Sequence, residues 1–377
     1  MGRDEAGRSG VSGDRDLLTT KERLAERVLS TRELNRALLA RQLLLQRSTL
    51  PLTRALERVG GLQTQYAPSA YIGLWTRLGD FRRGTLTKAL EEKRAVQATL
   101  MRATIHVVSP RDFQLFAAGI RDERREWWFK VSRRQLQLEG VDMKEVARRV
   151  REHLADGPLR QAELVERLLG EGFPRIAWVG AGMWIDLVRV PPSGTWKQRR
   201  ADLYALAESW LEPSDATRGE GLGHLVRRYL GGFGPASMKD LGSWSGLSLG
   251  TLRPVVEGLR LRRFLDEQGG ELLDLPRSPL PDADTPAPAR FLPTWDASLL
   301  VHARRTQILP EEHRPRVFDT KTPHSAPTFL VDGAVAGTWR YERGQVRLEP
   351  FGRLPREARR ELEEEAEGLA AFHGNEA

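Results

Sequence analysis

Apolar positions in this chain recur mostly at helical spacing, in runs cut short by glycine, proline and brief basic segments. The clearest unit begins at Glu220. Leu222, Leu225, Val226, Tyr229 and Leu230 repeat at steps of three and four, which predicts one amphipathic helix ended by Gly231-Gly232-Phe233-Gly234-Pro235. Ser237 and Asp240 have the spacing of an N-cap and its N3 acid, opening a short helix with Leu241 and Trp244 inside. A third helix buries Leu252, Val255, Val256 and Leu259; it is expected to start near Thr251, because Pro254 belongs in a first turn. The stretch RRFLDEQGGELLDL closes the unit as a hairpin turning at Gly269-Gly270. Three helices followed by a two-stranded hairpin make a winged helix.

The order recurs twice upstream, more loosely and without a fixed sequence repeat. Ser30 and Glu33 form a capping box ahead of a helix striped by Leu34, Leu38, Arg41 and Leu45. PLTRALERVGG, a glutamine-bearing segment, a helix GTLTKALEEK and strands AVQATL and ATIHVVS follow. Farther on, one helix ends at Gly170-Glu171-Gly172. A second is expected to carry Ile176, Met183, Trp184, Leu187 and Val188, and a Pro-Pro-Ser-Gly turn then leads into a strand, TWKQRRADLY.

After Ser278 the texture changes. PRSPLPDADTPAPAR is a proline-rich connector. Short alternating strands follow, with hairpin turns at Asp332-Gly333 and Arg343-Gly344, and they suit a small β-barrel. The pattern predicts an α+β protein of three tandem winged helices and a small barrel. Its expected parts are a disordered leader (1–20), winged helices over 21–120, 121–212 and 213–280, a barrel over 281–354 and an acidic helix or tail over 355–377.

Composition narrows the function. Mean hydropathy is −0.46, and no run approaches the roughly 18 apolar residues of a membrane span. The leader MGRDEAGRSGVSGDRD lacks the apolar core of a signal peptide, and Ala6 stands where myristoylation wants Ser or Thr. The absence of cysteine excludes disulfides, thiolate zinc sites and a Cys nucleophile, and it fits a cytoplasmic protein. Formal charge is 59 − 51 = +8; the tail from Pro355 holds seven Glu and three Arg, so the remaining body is +12 and rich in arginine. Such a body suits a polyanion, with salt-sensitive binding, and equally a solvated surface from a genome that favours arginine codons.

Several motifs compete for chemistry. Gly246-Leu247-Ser248-Leu249-Gly250 has the form of a nucleophile elbow, but it lies between two short helices, so Ser248 reads as a turn or cap residue. His302 and His313 are the nearest approach to a metal pair and have no third ligand at helical spacing, so neither metal nor cofactor is expected. Trp127-Trp128-Phe129 can stack on bases or fill a domain interface. Lys197, Arg199 and Arg200 stand where a wing would track phosphates. Lys321 and His324 occupy a polar tip between two strands, and Arg304 and Arg305 precede it.

Gln63 and Gln65 stand out in ERVGGLQTQYAPSAYIGLWTRL. If extended, this segment alternates and sends both amides to one side, flanked by Tyr66 and Tyr71, with Arg77 and Arg102 close in sequence. The plain reading is a polar loop whose amides cap helix ends. The chemical reading is a pair that fixes one water without carrying charge. That is too weak to deprotonate a strong acid, yet adequate for water attacking a centre that is becoming cationic.

The glutamine pair, MRATIHVVSPRDF (101–113), FLPTWDASLLVHARRTQILPEEHRPRVF (291–318) and APTFLVDGAVAGTWR (326–340) resemble the AlkZ-type (azinomycin-resistance) bacterial DNA glycosylases, a family of tandem winged-helix DNA-binding proteins. The likeness covers most of residues 30–350. It implies three winged helices and a barrel in a C-shaped monomer that embraces damaged double-stranded DNA. It further implies a Gln-hydrophobic-Gln catalytic motif at Gln63 and Gln65, with Thr64 a mild departure in the middle, and a DNA-inserting hairpin around 321–327. On that basis Arg77, Arg102, His106, Lys197, Arg199, Arg200, Arg304, Arg305, Lys321 and His324 are candidate DNA contacts. The implied activity is monofunctional hydrolysis of the N-glycosidic bond of N7-alkylguanine, extending to interstrand crosslinks, in DNA repair or self-resistance to a genotoxic antibiotic. A non-enzymatic winged-helix regulator, or an RNA-binding protein, is the alternative.

Overall fold

A computed structural model describes residues 25–136, 140–300, 302–303, 306–318 and 325–374. The expected leader, and Arg304, Arg305, Lys321 and His324, lie outside the described residues. Strand β1 (Val28–Leu29) leads into α1 (Thr31–Arg41), α2 (Leu52–Val59), β2 (Leu62–Gln63), α3 (Pro68–Trp75) and α4 (Arg83–Glu91). The hairpin β3 (Val96–Thr99) and β4 (Ile105–Val108) follows, then the long α5 (Pro110–Leu136). A second group comprises α6 (Met143–His153), β5 (Leu159–Arg160), α7 (Gln161–Gly170), α8 (Arg175–Ala181), β6 (Leu187–Arg189) and β7 (Leu203–Leu206). After α9 (Ala207–Trp210) come α10 (Arg218–Phe233), α11 (Met238–Ser245), α12 (Leu249–Glu257), β8 (Arg262–Asp266) and β9 (Glu271–Asp274). The chain closes with β10 (Arg290–Leu292), α13 (Arg314–Val317), β11 (Thr328–Val331), β12 (Ala334–Glu342), β13 (Gln345–Pro350) and α14 (Arg356–Gly374), a mixed α+β fold.

One order of elements occurs three times: a helix, a short extended segment, two helices and a hairpin. In the first group β2 pairs with β4, and in the second β5 pairs with β7. In the third, Ala236 bridges Leu273 of β9. The first two groups share one six-stranded sheet, β2-β4-β3-β6-β7-β5, joined where Gln97 of β3 faces Arg189 of β6. β1 runs parallel to β8, so the start of the described chain completes the sheet of the third group.

Local chemistry explains the boundaries. Ser30 with Glu33, Thr217 with Glu220 and Ser237 with Asp240 all form reciprocal capping boxes. Ser248 accepts from the Thr251 amide as the cap of α12, so that helix begins at Leu249, earlier than Pro254 predicted, and the proline sits within it. The helix expected to reach Val188 ends at Ala181. Leu187 and Val188 instead pair in β6, because a short apolar run fits a buried strand as well as a helix. The strand expected from Thr195 starts only at Leu203. Ser193 Oγ accepts from the amides of Asp202 and Leu203 and donates to the Arg200 carbonyl, folding residues 193–202 into a loop.

At the C-terminal end β10, β11, β12 and β13 form an antiparallel sheet in that order. Its turns at Asp332-Gly333 and Arg343-Gly344 have positive φ at both residues, as type I′ turns require. Leu362, Leu369 and Phe372 of α14 pack into the core with Phe291, Phe329 and Trp339. The groups are bound to one another tightly. α5 and α10 cross so closely that a Cβ on Gly221 would lie 2.4 Å from the Leu115 carbonyl oxygen. Arg41 of α1 forms a fully buried ion pair with Asp274 of β9, at 2.7 Å.

Candidate functional site

The punctuation around the glutamines has a steric cause. Gly60 ends α2 at φ 76° and Gly61 follows at φ 82°, both in the left-handed region. A Cβ on Gly61 would also lie 2.7 Å from Val108 Cγ1. The two glycines therefore let the chain leave the helix and run directly along β4, where Gln63 faces His106. The Thr64 amide donates to the Ile105 carbonyl at 2.8 Å, and the Thr64 side chain is buried, its hydroxyl turned to the Ala67 carbonyl. The middle position of the motif thus behaves as an interior residue despite its hydroxyl.

Regular strand ends at Gln63, and the two glutamines differ in exposure: Gln63 is buried and Gln65 is exposed. Both nevertheless reach the β3–β4 hairpin. Gln63 Oε1 accepts from Arg102 Nη2 at 2.8 Å, and Gln65 Oε1 accepts from the Ile105 amide at 3.0 Å. A guanidinium and an amide N–H can only donate, which fixes the rotation of both carboxamides. Each carbonyl oxygen faces the hairpin and keeps a second lone pair.

The hairpin tip is unusual. Arg102 and Ala103 have φ 53° and 57°, a conformation that disfavours side chains by about 1–2 kcal/mol per residue. The tip is closed by the Leu100 amide on the Thr104 carbonyl at 2.9 Å. Arg102 also donates through Nη1 to the Trp244 carbonyl, at the end of α11 in the third group. From the second group, Arg199 Nη1 donates to the Tyr66 hydroxyl at 2.7 Å, its guanidinium 5.6 Å from the ring centroid. The glutamine segment is therefore the place where all three groups meet.

Electrostatics sort the remaining candidates. His106 is 3% exposed, and its Nδ1 lies 3.0 Å from the Thr104 carbonyl. Burial first, then the charges of Arg102 and Arg124, push its pKa down to about 3. The ring is neutral, and the structure places His106, a candidate DNA contact, in the interior facing Gln63. Arg77, another candidate DNA contact, also lies in the interior. It is fully buried, holding both Asp296 oxygens at 2.9 and 3.0 Å and the Gly73 carbonyl at 2.9 Å. Its charge is spent within the core. Arg102 is half-buried at the motif.

Lys197, Arg199 and Arg200 are exposed on the loop before β7, and Arg200 reaches Asp202 at 3.1 Å. A cavity of about 750 Å³ separates this loop from α4, with Arg83, Lys88, Trp196 and Lys197 on its walls. Trp128 is buried against Trp184, whereas Trp127 and Phe129 are exposed. His302 is buried, with Nε2 3.0 Å from the Phe233 carbonyl, and His313 packs on Phe351. Among the described residues no group of three His, Asp or Glu is placed to hold a metal, and no helix is long and apolar enough to cross a membrane. Sequence reasoning missed the joint between Arg102 and Gln63, and that between Arg199 and Tyr66. Arg102 is close to the pair in sequence but without an evident partner there, and Arg199 lies 133 residues from Tyr66; no local pattern signals either contact.

A family model described as DNA glycosylase AlkZ-like matches residues 56–372. The solved structure of Streptomyces sahachiroi DNA glycosylase AlkZ is similar, with a TM-score of 0.76 and 21% identity, covering 92% of this chain and 96% of that chain. At that identity the likeness shows a shared fold. No curated protein sequence matches the chain. With the family model spanning most of its length, the chain belongs to the AlkZ-like DNA glycosylase family.

Proposed function

We propose that this protein is a monofunctional, cytoplasmic DNA glycosylase that releases N7-alkylated guanine from double-stranded DNA and unhooks crosslinks made through that atom. The observation that carries the reading is the glutamine pair, whose carbonyl oxygens are pinned by Arg102 and by the Ile105 amide at the junction of three groups. We read those groups as tandem winged helices, and the C-terminal sheet with its helix as the barrel unit, acting as a monomer around duplex DNA.

Alkylation at N7 makes the base a cationic leaving group. The C1′–N9 bond breaks with its electron pair going to N9, which neutralises the base and leaves an oxocarbenium-like sugar. A water held by Gln63 and Gln65 adds its oxygen to C1′ and releases a proton to solvent. Neutral amides suffice because the cation already exists; they orient the water and stabilise charge through their dipoles. An unmodified base, a poor leaving group, gains little from such a site. The motif contains no lysine, so no Schiff base and no lyase step is expected.

The deciding assay is incubation with duplexes carrying N7-methylguanine or an N7-linked crosslink, followed by alkali. Strand breaks at the lesion are expected; none above background with either duplex would leave a DNA-binding protein without this activity.

A further inference from the structure

Arg102 is the side chain that ties the third group to the glutamine pair. Its Nη2 holds Gln63 Oε1 and its Nη1 holds the Trp244 carbonyl. That carbonyl is a firm anchor, since the Trp244 ring is buried against Phe116, Tyr229 and Phe233. Gly246, at φ 77°, follows it, and a Cβ there would lie 3.5 Å from the Arg102 backbone nitrogen. The hairpin tip is thus seated closely on the end of α11.

We propose that Arg102 is a positioning residue for glycosidic hydrolysis, setting which end of the Gln63 carboxamide meets the attacking water. This rests on the glycosylase reading above. A guanidinium offers only donors, so the amide oxygen must face it; the opposite rotation sets NH₂ against N–H. The oxygen then keeps one lone pair to accept a hydrogen from water, which leaves a lone pair of the water free for C1′. Without Arg102 the amide loses its preference between two rotations. In the wrong one it donates to the water and occupies the electrons that must attack. Gln65 is held the same way by a backbone amide, which no side-chain substitution removes. A positive charge beside a developing cation is in itself unfavourable, so charge alone does not account for an arginine here.

The test is a double-mutant cycle. Arg102→Gly deletes the side chain where φ 53° suits glycine, and Arg102→Lys keeps the charge without the two-armed fork. Each is made with and without Gln63→Ala. Single-turnover excision of N7-methylguanine is measured at saturating duplex, and duplex affinity separately. We expect Arg102→Gly and Arg102→Lys to slow excision by up to about a hundredfold, with affinity for Arg102→Lys unchanged. In the Gln63→Ala background neither should slow it further. Rate losses that multiply, or a parental rate with weakened binding, would make Arg102 an independent DNA contact and overturn the proposal. If Arg102→Gly does not melt as the parent does, the Arg102→Lys cycle decides alone. A parental protein that releases no base sinks the glycosylase reading and this proposal together, whereas activity with multiplying losses sinks only this one.

Discussion

Arg77 and Asp296, 219 positions apart in the chain, meet in a two-pronged ion pair with both side chains 1% exposed. It joins the segment after α3, within the first group, to the segment after β10. Removing one partner strands a buried charge, so Arg77→Ala should destabilise the fold by about 3–5 kcal/mol. Replacing both, as Arg77→Met with Asp296→Leu, should cost less than either single change. Urea unfolding of Arg77→Ala, of Arg77→Met and Asp296→Leu singly, and of the double variant checks this. A near-parental midpoint for Arg77→Ala would mean the pair contributes little.

Replacement of Gln63 or Gln65 by Ala should slow single-turnover excision by about a hundred- to thousandfold, some 2.7–4 kcal/mol, with duplex affinity little changed. The losses should not multiply, since both amides serve one water. Gln65→Asp should retain activity and broaden the range of lesions, because a carboxylate stabilises the sugar cation more strongly than an amide. Thermal melting controls for folding. Ala variants that fold, bind and excise at the parental rate would move the site elsewhere.

The exposed loop before β7 offers a separate handle on binding. Replacing Lys197, Arg199 and Arg200 together should weaken affinity for all duplex sequences alike and flatten its dependence on salt. Arg199→Ala alone should have a second effect besides its share of the binding loss: it frees the Tyr66 ring beside Gln65 and so should slow excision at saturating DNA. Titrations at two salt concentrations measure the first effect. An unchanged salt slope would mark the loop as an ordinary solvated face.

His106 makes stability depend on pH. Its folded pKa, near 3, lies below the ordinary histidine value, so the unfolded chain binds a proton that the folded chain refuses. The stability conferred by keeping the ring neutral is complete above the unfolded pKa of about 6.5 and is lost as pH falls from there toward 3. The loss is on the order of 3 kcal/mol by pH 4. His373, lowered to about 4 by burial and by the charges of Arg83 and Arg199, adds in the same direction. His106→Gln should therefore lose less stability than the parent between pH 6.5 and 4, measured by denaturant unfolding at each pH. Parallel curves would place the acid sensitivity on other groups.

Much of the local structure was determined by sequence alone, because its causes are local. A capping box needs only Ser237 and Asp240 three residues apart, and a type I′ turn only Asp332-Gly333 or Arg343-Gly344. The stripe from Leu222 to Leu230 requires one buried face wherever the helix docks. The Gln63/Gln65 motif was legible for the same reason, as residue types at a fixed spacing next to a double glycine. Where one short apolar run served two states, as at Leu187-Val188, local pattern had no means of choosing helix or strand. What only the tertiary structure decided is the fate of each charge. Arg77, Arg102 and Arg199 are the same residue type and carry the same expectation of contacting DNA. One is neutralised in the core by Asp296, one pins Gln63 from a left-handed turn, and one is exposed against Tyr66. An arginine's role depends on which acceptors the fold brings within about 3 Å, and those acceptors lie tens to hundreds of residues away in the chain.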